Sequence, residues 1–303
     1  MAARPPEVAT PGTGGVQSPL RWAGGKKRIA GLLARALPPH RTYVEPFGGA
    51  ASVLLAKPKS PVEVYNDLDG ELVNFFRVLQ EEPEAFLHSF RWALVARSEY
   101  ERLAALDPAE LSPVDRAHRF FYLVMGGWGA EAGRPRFQTA VRDKGGGNRL
   151  IGALAHLEER IRPVHQRLQG VLVEALPWQE VLARYDGPGT VFYLDPPYPN
   201  HQVRYGVGMR DLEDHHELWR ALARLEGRWL LSTYDDPELR KEMGRILGDG
   251  VRFYPLHVPW GLRTRSRGRG LELLACNYPL PEAFLRANPR TAPKASPLFA
   301  PSA

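Results

Sequence analysis

Three short stretches of the 303-residue sequence hold residue types whose spacing suits chemistry. The first is Tyr193-Leu194-Asp195-Pro196-Pro197-Tyr198. An apolar strand ends in a carboxylate, and two prolines that cannot extend a hydrogen-bonded ladder follow at once. They fix a rigid turn, leave backbone carbonyls free and aim an aromatic ring. The second is Val44-Glu45-Pro46-Phe47-Gly48-Gly49-Ala50-Ala51, at a strand-to-helix turn. Small residues there let a backbone approach a ligand closely, and a helix N-terminus favours negative or polar groups. Asp67 follows Phe47 by 20 residues, close to the offset of ~20 at which an acid meets a ribose in nucleotide-binding α/β folds. The third is Leu20-Arg21-Trp22-Ala23-Gly24-Gly25-Lys26. It offers an aromatic ring and a cation for a ligand bearing a carboxylate. Each stretch also has a bland reading: a strand-ending turn, a turn before a helix-capping Asp67, and a helix start with Trp22 packed as core. The dinucleotide pattern G-x-G-x-x-G is missing, which argues against NAD.

The elements that must position these residues are legible in outline. Ile29, Leu32, Leu33 and Leu37 recur at helical spacing behind Lys26, and Pro38-Pro39 stops that helix. TYVEPFGGAASVLLA reads as strand, glycine turn and helix. VEVYNDLD reads as a strand ending in acids, and GELVNFFRVLQ as a helix. This alternation argues for a parallel sheet. The pattern changes over 81–170, where PEAFLHSFRWALVARSEYERLAAL, PVDRAHRFFYLVMGGW and LIGALAHLEERIRPVHQRLQ read as helices around a glycine-rich stretch, 126–148. Alternation resumes with VLVEAL, TVFYLDPPY, EDHHELWRALARL and RWLLSTY, and VRFYPLHVPW with LELLACNYPL reads as a closing β-hairpin. We expect a disordered tail over 1–17, one α/β domain from 18–80 and 171–285, an inserted helical region at 81–170, and a second tail over 286–303.

Composition narrows the class. Lys plus Arg is 40 against 34 acids, a net charge of +6, and the pI is about 9.5. Seven residues are Lys and 33 are Arg, a skew that suits forked contacts to phosphate. The single Cys276 excludes an intramolecular disulfide and a multi-cysteine metal site, and its apolar strand marks it as core. His215 and His216 lack further ligands at metal spacing, so no metal is expected. No apolar run approaches the ~18 residues of a membrane span, and the N-terminus lacks the apolar segment of a secretory signal. The expectation is a soluble, cytoplasmic protein with some affinity for polyanions.

The three motifs in this order resemble the Dam-like (D12) family of N6-adenine DNA methyltransferases. The resemblance covers most of 19–285 and includes Asp214-His215-His216 and the closing Glu272-Leu273-Leu274 with Asn277-Tyr278. It implies a Rossmann-like methyltransferase fold, mostly parallel with a terminal β-hairpin, plus a helical target-recognition insert. It implies S-adenosylmethionine as methyl donor, held by Trp22, Lys26, Glu45, Phe47, Gly49 and Asp67, with Lys26 near the methionine carboxylate and Asp195 touching both cofactor and target. Pro196, Pro197 and Tyr198 complete the catalytic set, the tyrosine stacking on the base. Two departures stand out. The family's glycine motif often ends in glycine, and here that position is Ala51. The 126–148 stretch does not reproduce the family's GATC-reading sequence.

The resemblance fits the chemistry. The adenine N6 lone pair is conjugated and weakly nucleophilic. Asp195 and a proline carbonyl can accept its two N–H bonds and stabilise the positive charge that grows on nitrogen. The base must leave the duplex to be reached. Trp128, Arg134, Arg136 and Gln138 of the insert, and Arg263, Arg265, Arg267 and Arg269 of the closing hairpin, are expected to contact double-stranded DNA. A cognate restriction endonuclease is a possible partner. N4-cytosine methylation is the nearest enzymatic alternative, although Asp rather than Ser before Pro-Pro-Tyr favours adenine. A catalytically silent DNA-binding relic is the alternative from another class.

Overall fold

A computed structural model of the chain describes residues 15–22, 24–127, 137, 149–199, 209, 211–257 and 271–287. In chain order the elements are α1 (Ala30–Ala36), β1 (Thr42–Glu45), α2 (Ser52–Ala56), β2 (Val62–Asn66), α3 (Gly70–Glu81), α4 (Pro83–Ser89), α5 (Arg97–Ala105), a 3-10 turn (Pro108–Glu110), α6 (Pro113–Gly126), α7 (Arg149–Leu154) and α8 (Leu157–Leu168). Then come β3 (Val171–Glu174), α9 (Trp178–Tyr185), β4 (Thr190–Leu194), α10 (Leu212–Leu222), β5 (Arg228–Tyr234), α11 (Pro237–Leu247), β6 (Arg252–His257), β7 (Leu271–Cys276) and α12 (Glu282–Ala287).

The seven strands form one sheet in the order β3-β2-β1-β4-β5-β7-β6. The first five are parallel, while β7 runs antiparallel to β5 and β6 antiparallel to β7. This is the expected Rossmann-like methyltransferase arrangement with its closing hairpin. Both faces are covered, which is why the strands read as apolar runs rather than alternating ones. Side chains nevertheless alternate between two cores. Tyr43, Tyr65, Val191, Tyr193, Leu230 and Leu274 pack on one face. Val44, Val64, Phe192, Leu194, Leu231 and Ala275 pack on the other, with Leu218 and Trp219 of α10 and Met243 of α11.

The helices between β2 and β3 share the first core rather than building their own. Phe75 of α3 stacks on Phe121 of α6 at 6.0 Å, and Phe86 of α4 meets Phe75 edge-on. At the far end of this region a buried ion cluster fastens α8 to the sheet: Arg167 reaches Glu63 and the Leu54 carbonyl, and Lys57 reaches Glu63. Among the described residues this region holds no strand, only the isolated bridge Gly127–Phe137.

Several expectations need correction. The single helix read over 83–106 is two helices, α4 and α5, separated by 90–96. Lys26 precedes α1 rather than starting it; the Ile29 N–H bonds to its carbonyl in a tight turn. Some residues expected in the tails belong to the fold: Val16 packs on the core, and Arg286 and Ala287 belong to α12. No helix among the described residues is long and apolar enough to cross a membrane, and no group of three or more His, Cys, Asp or Glu there can hold a metal.

Candidate active site

In an open parallel sheet, ligands bind beyond the carboxyl ends of the strands where strand order reverses. Here that point lies between β1 and β4, which are neighbours although far apart in sequence. The glycine motif leaves β1 and Asp195-Pro196-Pro197-Tyr198 leaves β4, so the two motifs flank the reversal.

The glycine turn is held from beneath. The Gly48 N–H bonds to the Asn66 carbonyl at 2.7 Å, and a Cβ on Gly48 would lie 2.3 Å from the Tyr65 ring, so only glycine fits. Gly49 has a φ of +48°, and its missing Cβ would sit 3.5 Å from the Trp22 indole. Asp67 accepts the Gly49 N–H at 2.7 Å and the Asp69 N–H at 2.9 Å. Burial pushes its carboxyl up to about 6. The Tyr65 hydroxyl caps the Gly49 carbonyl at 2.8 Å. Phe47 is half-buried against the second core. Glu45 is not brought to the cleft surface. It is 1% exposed, and one oxygen accepts the Tyr43 hydroxyl at 2.6 Å and the Leu54 N–H at 2.7 Å. It therefore ties β1 to the first turn of α2.

The second cluster centres on Asp195. Lys26 Nζ donates to Asp195 Oδ1 at 2.7 Å, to the Gly24 carbonyl at 3.2 Å, and lies 3.2 Å from Glu272 Oε1. Burial acts to lower the Lys26 pKa, but the charges of Asp195 and Glu272 outweigh it and hold it above its usual value. The Tyr198 hydroxyl donates to the same Glu272 oxygen at 2.7 Å. Its ring meets Tyr234 edge-to-face at 4.6 Å, with the Lys26 ammonium 5.0 Å from its centroid. A tight turn, Gly25 N–H to Trp22 carbonyl at 3.1 Å, supplies both clusters: Trp22 reaches Gly49 while Lys26 reaches Asp195. The lysine expected near a ligand carboxylate thus pairs with the protein's own.

Two residues of this site were named in the family resemblance but given no role at the site. Glu272, on β7, was visible as an acid inside the apolar run LELLAC, where a buried carboxylate must find partners. His215, on α10, hydrogen-bonds the Pro197 backbone, and burial pushes its pKa down to about 4, so the ring is neutral and supports the proline turn. His216 lies between Glu213 at 3.2 Å and Glu242 at 2.9 Å. Cys276 is buried, with its thiol pushed up to about 12 by burial. Trp128, Arg134, Arg136, Gln138, Arg263, Arg265, Arg267 and Arg269 lie outside the described residues.

Residues 22–243 match the profile of the D12 class N6 adenine-specific DNA methyltransferases. The chain belongs to that family. Among similar proteins, a DNA adenine methylase of Vibrio cholerae is 30% identical over 186 residues, 59% of this chain and 64% of that protein. The retron Ec67 DNA adenine methylase of Escherichia coli is 28% identical over 236 residues, 75% of this chain and 80% of that protein. A Type II methyltransferase of Lactococcus lactis is 30% identical over 116 residues, 34% of this chain and 39% of that protein. This D12 chain therefore aligns with about two-thirds or less of the Vibrio and Lactococcus proteins.

Proposed function

We propose that the protein is a DNA methyltransferase that transfers a methyl group from S-adenosylmethionine to N6 of an adenine flipped out of double-stranded DNA. The observation that carries this reading is Asp195 at the sheet's reversal point, one oxygen fixed by Lys26 at 2.7 Å, beside a glycine turn backed by Trp22 and Asp67.

The cofactor fits the residues present. Gly49 leaves open the space a Cβ would fill against Trp22, and Asp67, after β2, is an acceptor suited to ribose hydroxyls. Trp22, Phe47, Gly49 and Asp67 line this site, with Glu45 holding the turn from below. Bound there, S-adenosylmethionine supplies an electrophilic methyl on a sulfonium. Lys26 occupies one Asp195 oxygen and leaves the other for an N6–H. A carbonyl of the proline turn accepts the second N6–H, which turns the nitrogen lone pair out of conjugation. As the N–C bond forms and the C–S bond breaks, positive charge grows on N6, and Asp195 stabilises it without reorganising. The methylated nitrogen would then lose one proton to water, with the C–S electron pair left on the departing sulfur. Tyr198 borders the base, its hydroxyl anchored by Glu272.

The test is methyl transfer from labelled S-adenosylmethionine to duplex DNA, with the product base identified by mass spectrometry. N6-methyladenine is expected, and Asp195→Ala should lower kcat by at least ~10³-fold, the upper range for removing one preorganised partner of developing charge. The variant should fold, because Lys26 keeps Glu272 as partner. N4-methylcytosine, or turnover near the parental rate by a folded Asp195→Ala protein, sinks the reading. A cognate restriction endonuclease would be the companion in a modification role, and protection of methylated DNA from digestion tests that assignment.

A further inference from the structure

Glu272 lies beyond the residues that match the family profile. It sits in β7, opposite Tyr234 of β5 and Leu256 of β6, and is 1% exposed. One oxygen takes both the Tyr198 hydroxyl and the Lys26 ammonium, and the other is buried with no partner among the described residues. Stability does not explain this arrangement. A single buried ion pair roughly breaks even against apolar side chains of the same size. Here a second carboxylate is added to a lysine already paired with Asp195. The excess negative charge is a burden on the fold and an asset to a reaction that builds positive charge.

With Lys26 and Asp195 alone, the ammonium would cancel the charge that Asp195 presents to the reacting nitrogen. Burial pushes the Glu272 carboxyl up while the Lys26 ammonium and the Tyr198 hydroxyl pull it back; ionised, it offsets Lys26, so the cluster of three keeps one net negative charge, and the same carboxylate fixes the Tyr198 hydroxyl. We propose that Glu272 is a positioning residue of the methyl-transfer site, preserving the negative charge of Asp195 through Lys26 and setting the Tyr198 ring. This inference rests on the methyltransferase reading above.

Glu272→Gln separates charge from shape. Its amide oxygen can still accept from Tyr198, and Lys26 with Asp195 remains a neutral pair. We expect kcat per active site, counted from single-turnover bursts, to fall at least tenfold while the KM values for DNA and S-adenosylmethionine stay within about twofold. Glu272→Ala, which also releases Tyr198, should lower kcat further and raise KM for DNA. A purely structural role would instead lower the thermal midpoint and the fraction of active sites, leaving kcat per site at the parental value. That result, with an active parent, overturns the inference. A folded parent that transfers no methyl to adenine overturns the methyltransferase reading, and this inference with it.

Discussion

Ala51 and Glu45 show how single residues support the glycine turn. Ala51 stands where the family often has glycine, and its φ of +53° is left-handed. That geometry costs an L-residue about 1–2 kcal/mol. Its fully buried methyl returns up to about 0.8 kcal/mol, and alanine loses less backbone freedom on folding than glycine would, so the substitution is close to neutral. Glu45 is the more consequential case. Burial raises its pKa from 4.5 to about 7, against hydrogen bonds from Tyr43 and Leu54 that pull it down. The folded protein therefore holds this proton more tightly than the unfolded chain, and the stability it brings is lost as pH rises through that window. Asp67, pushed up to about 6, acts in the same sense and His215, pushed down from 6.5 to about 4, in the opposite one, so the parent's own slope mixes all three. Glu45→Gln removes only the first contribution. Its thermal midpoint relative to the parent should climb by several degrees between about pH 5 and about pH 8, given ~2–4 °C per kcal/mol for a domain of this size. Parallel curves for the two proteins would show that Glu45 does not titrate in this range.

At the level of elements, α10 shows how a helix outside the three motifs bears on the site. It starts with a reciprocal capping box, Asp211 with Asp214, and buries His215, Leu218, Trp219 and Leu222. Its first turn thus brings His215 under the Pro197 backbone. His215→Ala should leave that carbonyl unsatisfied and lower stability by about 1–3 kcal/mol. kcat should fall more than the affinity for S-adenosylmethionine. Urea unfolding and single-turnover rates check both, and unchanged values would mean the ring does not hold the turn. Periodicity and turn residues made α10, the parallel strands and the closing hairpin legible in sequence. The elements overlooked are weakly patterned. α9 buries only Val181 and Leu182, and α11 buries only Met243 along a charged face, although Asp236-Pro237 marks its start as a cap and first-turn proline. The break between α4 and α5 has neither Gly nor Pro to announce it, and Trp92 and Leu94 there are exposed. The site was legible where motifs are local. The meeting of Lys26 with Glu272 was not, because it joins the turn before α1 to the last strand through long-range sheet pairing.

Across the whole molecule, charge is divided unevenly. Residues 258–270 hold four arginines and no acid, and residues 128–148 hold three arginines and a lysine against Glu131 and Asp143. Together these two stretches account for the chain's entire net charge of +6; the remainder is balanced. On the proposed function the sheet and its motifs treat any accessible adenine alike, and we propose these two stretches as the source of both affinity for DNA and choice of site. They differ in what they can read. Arg263, Arg265, Arg267 and Arg269 alternate with Thr, Ser and Gly, a composition suited to phosphates, which carry position but no sequence. Trp128, Arg134, Arg136 and Gln138 add an amide and an aromatic ring to the cations, the donors and acceptors that base edges in the major groove require. Neutralising Arg265 and Arg267 together should weaken binding to all DNA and reduce the slope of log affinity against log salt by about 2, one for each phosphate no longer neutralised, with the methylated motif unchanged. Substitutions at Arg134, Arg136 or Gln138 should instead relax or redirect that motif, with a change of only about one in the salt slope for each arginine removed. Sequencing modified bases in DNA exposed to each variant, alongside salt titrations, decides between them. If the 265 and 267 substitutions altered the methylated motif while the 134–138 substitutions left it intact, the division of labour would run the other way.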